Sequence, residues 1–85
     1  MKIHKLKTWP EYFELMVSGK KTFELRENDR DFDEGDKLIL QEYDPNKKEY
    51  TGQELHVIIT HMLGTNPFIE LDNKVILSVR NEPLD

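Results

Sequence analysis

The stretch "TWPEYFELMVSG" limits the possible folds of this chain more than any other. Trp9, Tyr12, Phe13, Met16 and Val17 recur at i, i+3, i+4, i+7 and i+8, the apolar stripe of a short helix. Thr8 and Glu11 have the spacing of a capping box, with Thr8 as N-cap and Glu11 reaching back. Pro10 falls in the first turn, where a missing N–H costs little. Gly19 suits the left-handed position that ends a helix. From Lys21 onward the apolar period changes to two, the signature of strands.

The strands can be read in order. "KIHKLK" sets His4 and Leu6 on one face and Ile3, Lys5 and Lys7 on the other. "KTFELR" alternates Phe23 and Leu25 against Thr22, Glu24 and Arg26. "KLILQEY" and "EYTGQELHVIITHML" are joined through "DPNKK", with Pro45 at a turn position and Gly52 marking a bulge or bend. "GTNPF" is a loop, and "KVILSVR" turns Val75, Leu77 and Val79 inward, with Arg80 on the opposite face. The tail "NEPLD" is expected to fray. Most connections are too short for βαβ crossovers. The expectation is one α+β domain over residues 1–85, with about five mostly antiparallel strands curled around a small core and one main helix against them. A domain of this size hides only about 60–65% of the surface its unfolded chain exposes, which disfavours a deep, enclosed active site.

Composition narrows the function. The absence of cysteine excludes disulfides and thiolate metal sites, and fits a cytoplasmic setting. No secretory h-region is visible at the N-terminus, and no apolar run approaches the ~20 residues that span a bilayer. A soluble protein with no membrane partner is therefore expected. The net charge of −5 is unevenly spread: residues 1–26 hold six basic and three acidic side chains, net +3, so the remainder holds six and fourteen, net −8. Such a chain is ill suited to coating nucleic acid, which requires neutralising many phosphates, but it can hold one or two phosphates locally.

Several kinds of site can be weighed. His56 and His61 lie five apart on one strand, so an unbroken pleat sends them to opposite faces. With no HxH or HxxxH pair, no metal site is expected. The loop Glu27–Asp36 carries Glu27, Asp29, Asp31, Asp33, Glu34 and Asp36 against Arg30, yet lacks the spacing of a calcium loop and reads as a solvated segment. Ser18 and Thr22 are the hydroxyls near Lys21, and neighbouring strand residues point apart, so Lys21 is badly placed to activate Thr22. Lys21, Glu24 and Arg26 remain. Glu24 and Arg26 share a strand face about 7 Å apart, either as an exposed ion pair or as the floor of a site.

Gly19, Lys21, Glu24 and Arg26 also fit the G-x-K-x-x-E-x-R motif of the ASCH (activating signal cointegrator homology) domain, a member of the PUA-like superfamily. The stretch "WPEYFELMVSGKKTFELRENDRDFDEGDKLILQEYD" resembles a small bacterial and phage branch of that family. The resemblance implies a PUA-like pseudo-barrel with a cleft between the helix and the motif strand, binding single-stranded RNA or a nucleotide-like small molecule without a cofactor. Lys21 and Arg26 would donate to phosphate or base carbonyl oxygens. Glu24 would orient Arg26 or accept from an exocyclic amine. Trp9 at the helix start is a stacking candidate, and His4, Lys7 and Arg80 are further candidates for the cleft. A related branch removes an acyl group from acetylated cytidine, with lysine at the position of Lys21 and a threonine nucleophile where this chain has Glu24. A carboxylate cannot replace that hydroxyl, so the reaction does not carry over, and the expectation leans away from an enzyme. The alternatives are a hydrolase of a modified nucleoside or of RNA, using Lys21 and Glu24 as an acid/base pair, and a protein-interaction module working through the acidic loop.

Overall fold

The computed structural model describes residues 1–82. The elements follow in the order β1 (Ile3–Thr8), α1 (Pro10–Val17), β2 (Phe23–Glu27), β3 (Lys37–Asp44), β4 (Glu49–Leu63) and β5 (Lys74–Asn81). The five strands form one mixed sheet in the order β1-β3-β4-β5-β2, curved into a half-barrel. β1 runs parallel to β3, and the other three pairings are antiparallel. Among the described residues, no helix is long and apolar enough to cross a membrane.

The core lies on the concave side. Leu38, Leu40, Val57, Ile59 and Leu77 are its most deeply buried members. Leu6, Val75 and Val79 join them from the strands, and Phe13 and Met16 from α1. Of the helical stripe, only this i, i+3 pair is fully buried. Trp9, Tyr12 and Val17 stay about half exposed. An eight-residue helix packed on one part of a curved sheet can insert little more than one turn of side chains.

The capping box does not form. Thr8 is the last residue of β1, is buried, and donates its hydroxyl to the Leu6 carbonyl. The N-cap is Trp9, in extended conformation with no side-chain cap bond, and its carbonyl accepts from the Tyr12 and Phe13 N–H groups at 3.1 and 2.9 Å. The strand thus continues one residue further than the helix signal suggests, because Thr8 pairs with Glu42 of β3. At the other end Gly19 does adopt the left-handed conformation, at φ +80°, with its N–H on the Met16 carbonyl.

Two irregularities in β4 change which side chains share a face. Gly52, at φ +94°, sits where the β3–β4 register slips, as its position suggested. A second slip between Ile59 and His61 inserts one residue into the pairing with β5. His61 therefore pairs with Ser78, between buried Leu77 and Val79, while His56 pairs with Ile39, between buried Leu38 and Leu40. Both histidines lie on the outer face, contrary to the expectation from an unbroken pleat.

The acidic loop is anchored rather than merely solvated. Phe32 is buried and meets the His4 ring edge-on at 4.7 Å. Buried Asp36 accepts from the Lys2 N–H at 2.9 Å, from His4 Nε2 at 2.9 Å and from the Asp33 N–H at 3.0 Å. Lys2 Nζ reaches the Asp31 and Asp33 carboxylates, and Glu34 meets His61 Nδ1 at 3.0 Å. At the C-terminal end, Asn81 closes β5, and the Glu82 N–H bonds the His56 carbonyl while its carboxylate pairs with Lys37. This part of the expected tail is tied down, and residues 83–85 lie outside the described residues.

Burial pushes the Asp36 carboxyl up, but the hydrogen bonds from Lys2, His4 and Asp33 outweigh it and hold the group down at about 2, against an ordinary 3.8. A depressed carboxylate stabilises the fold above its unfolded value and loses that contribution as pH falls through the folded one. Asp36→Asn is expected to lower stability at pH 7 by roughly 2 kcal/mol and to flatten the pH dependence between about 4 and 2. Urea unfolding midpoints across that range test this, and parallel curves for the two proteins would rule it out.

Candidate functional site

β1 and β2 are joined in sequence through α1 yet occupy opposite edges of the sheet, so its curvature brings two unpaired edges face to face. This seam is where the motif residues lie. β2 pairs antiparallel with β5, and Glu24 stands opposite Leu77, one of the most deeply buried residues of the core. Register therefore turns Glu24 toward the concave side, where its side chain is 3% exposed. Phe23 and Leu25 point outward at 46% and 53% exposure. The apolar residues of this strand are the exposed ones and the carboxylate is the buried one.

A carboxylate at that depth requires compensation, and two cations supply it. Arg26 Nε donates to Glu24 Oε2 at 2.8 Å, and Lys21 Nζ lies 3.4 Å from Glu24 Oε1. Arg26 also crosses the seam, its Nη2 donating to the Lys7 carbonyl at 3.1 Å and to Thr8 Oγ1 at 3.4 Å. One rung further along, Arg30 Nη1 donates to the Lys5 carbonyl at 2.8 Å. Alternate carbonyls on the free edge of β1 thus receive guanidinium groups in place of a neighbouring strand.

Above this ion cluster, between the start of α1 and β2, opens a cleft of about 580 Å³. Trp9 and Tyr12 line the helix side, Phe23 and Leu25 the strand side, and Lys7, Thr8, Lys21, Glu24 and Arg26 complete it. The Lys21 ammonium lies 5.2 Å from the ring centroids of both Tyr12 and Phe23, within reach of each aromatic face. Lys7 Nζ sits 4.1 Å over the Tyr43 ring. Three cations against one carboxylate give the cleft a net +2 in a chain of net −5.

Five of the seven candidate residues meet here: Lys7, Trp9, Lys21, Glu24 and Arg26. His4 and Arg80 do not line the cleft. His4 is committed to Asp36 and Phe32 beneath the acidic loop, and Arg80 is exposed on the outer face, opposite Ile58. Tyr12, Phe23, Leu25 and Thr8 were not foreseen as lining residues. For Tyr12 the signal was available, since it lies three residues after Trp9 on the same helical stripe. Ser18 closes the helix by donating to the Leu15 carbonyl at 3.0 Å, and the Thr22 carbonyl accepts from Val79. The Thr8 hydroxyl, between Leu6 and Arg26, has no base as its hydrogen-bond partner. Among the described residues, no group of three or more histidine, aspartate or glutamate side chains is arranged to hold a metal ion.

The fold and cleft define a small α+β half-barrel with a cationic, aromatic-walled groove at its open seam. The chain belongs to the family described as "Domain of unknown function (DUF3850)", whose model matches residues 3–79. It is also similar to the "Uncharacterized 12.9 kDa protein in GpA 3'region" of Escherichia phage P2, with 36% identity over 69 residues, covering 81% of this chain. The match spans 62% of the length of that relative.

Removing one partner of a buried ion pair strands the other. Glu24→Ala is expected to destabilise the domain by about 3 kcal/mol. In double-mutant cycles measured by urea unfolding, the Glu24–Arg26 coupling should exceed ~1 kcal/mol, and the longer Glu24–Lys21 contact should fall below it. Equal coupling energies would show that Arg26 has no special place in the seam.

Proposed function

We propose that this chain is an ASCH/PUA-like module that binds a nucleotide or single-stranded RNA in the seam cleft, without catalysing a reaction on it. The observation that carries the proposal is a buried carboxylate fixing two cations beside half-exposed aromatic rings in one cleft. Arg26, held through Nε by Glu24 and through Nη2 by the edge of β1, keeps Nη1 to donate to a phosphate or base carbonyl oxygen, and a guanidinium already fixed in place loses little freedom on binding. Trp9 and Tyr12 offer flat apolar faces to a base, and such stacking contributes about 1–3 kcal/mol per base. The non-enzymatic reading is supported by the engagement of both Glu24 oxygens by cations, and by a Thr8 hydroxyl whose partners are the Leu6 carbonyl and Arg26 rather than a base.

Trp9 is the chain's single tryptophan and therefore a local reporter. Titration with nucleotides and short single-stranded RNAs at low salt should change its fluorescence saturably. Arg26→Ala should weaken binding at least tenfold, while Arg80→Ala leaves it unchanged. With one or two phosphates contacted, log K should fall against log salt with a slope near −1. Absence of saturable binding to any of these ligands would refute the proposal.

A further inference from the structure

The seam offers more than its open cleft. Arg26 also lines a second hollow of about 180 Å³, bordered by Leu6, Glu27, Asp29 and Arg30. Its guanidinium is thus the partition between the two. On the cleft side lie Lys7, Lys21 and the aromatic rings; past the partition Glu27 and Asp29 are matched by Arg26 and Arg30, and Arg30, 3.9 Å from Asp29, laces the seam shut on the Lys5 carbonyl. From residue 27 onward the chain carries net −8.

From this arrangement, and resting on the nucleotide-binding reading above, we infer that the site takes a single nucleotide with a terminal phosphate and does not admit the interior of a strand. A strand threading the seam would have to displace the Arg26 bridge and then the Arg30 bridge on the Lys5 carbonyl. One nucleotide meets neither obstacle. Its base has the aromatic walls, its terminal phosphate has Arg26 and Lys21, and the cleft lies within the ~300–1,000 Å³ range of small-molecule sites. The two arginine bridges then act as a selectivity element, rejecting longer ligands by obstructing the seam rather than improving contact with short ones.

The test compares a nucleoside monophosphate, a linear 5′-phosphorylated RNA octamer and a covalently closed circular octamer of the same composition, all at one salt concentration with Trp9 fluorescence as readout. The monophosphate should bind at least tenfold more tightly than the circle. The linear octamer separates the two sources of a terminal nucleotide: affinity equal to the monophosphate identifies a strand end, and weaker affinity identifies the free nucleotide. Removing the second bridge with Arg30→Ala should tighten binding of the circle several-fold, although it deletes a cation, and leave the monophosphate within about twofold. If the circle binds the native protein as tightly as the monophosphate does, the inference is overturned while nucleotide binding in the cleft stands. If nothing binds, both fall together.

Discussion

The Arg26 guanidinium joins the two edges of a sheet that does not close by backbone pairing. On one side it holds Glu24, a carboxylate that register with β5 has turned into the protein; on the other it holds the Lys7 carbonyl and the Thr8 hydroxyl at the end of β1. Glu24 needs Arg26 and Lys21 to offset its desolvation, and Arg26 needs Glu24 to hold its fork in the plane of the seam. The floor of the cleft and part of its cationic character follow from where this bridge lies. The curved sheet provides the walls, and the bridge fixes how far apart they stand.

Charge distribution strengthens this local arrangement. The chain as a whole carries net −5, yet the cleft lining carries net +2, so the local field there has the opposite sign to that of the molecule. The acidic loop adds to that contrast while performing a structural task. Asp36 and Phe32 pin it to His4 and to the start of β1, which positions the strand whose carbonyls Arg26 and Arg30 engage.

Where local periodicity decided the outcome, the sequence was a good guide. The single helix, the left-handed Gly19, the inward face of β5 and the slip at Gly52 are all legible in spacing and turn chemistry. What escaped depends on partners distant in the chain. Thr8 is held in β1 by Glu42, which overrides its value as a cap. The bulge beside Thr60 depends on pairing with β5 and carries no glycine or proline to announce it. Phe32 is an isolated aromatic in a charged loop, with no period to mark it as core. The phase of β2 is the most instructive case. Alternation correctly grouped Phe23 with Leu25 and Glu24 with Arg26, but not which pair faced inward, because an edge strand beside an open seam need not bury its apolar side. The motif positions were recognisable by resemblance; the aromatic walls Tyr12 and Phe23 became visible only once helix and strand were placed together.

The lacing of the seam has one more consequence. An unpaired strand edge offers carbonyls and N–H groups to any other extended chain, and proteins that leave such an edge bare invite edge-to-edge association. Here the carbonyls of Lys5 and Lys7, the alternate acceptors an incoming strand would need, are already taken by Arg30 and Arg26. The residue that forms the cleft's cationic floor is thus also a guard of the β1 edge against edge-to-edge association.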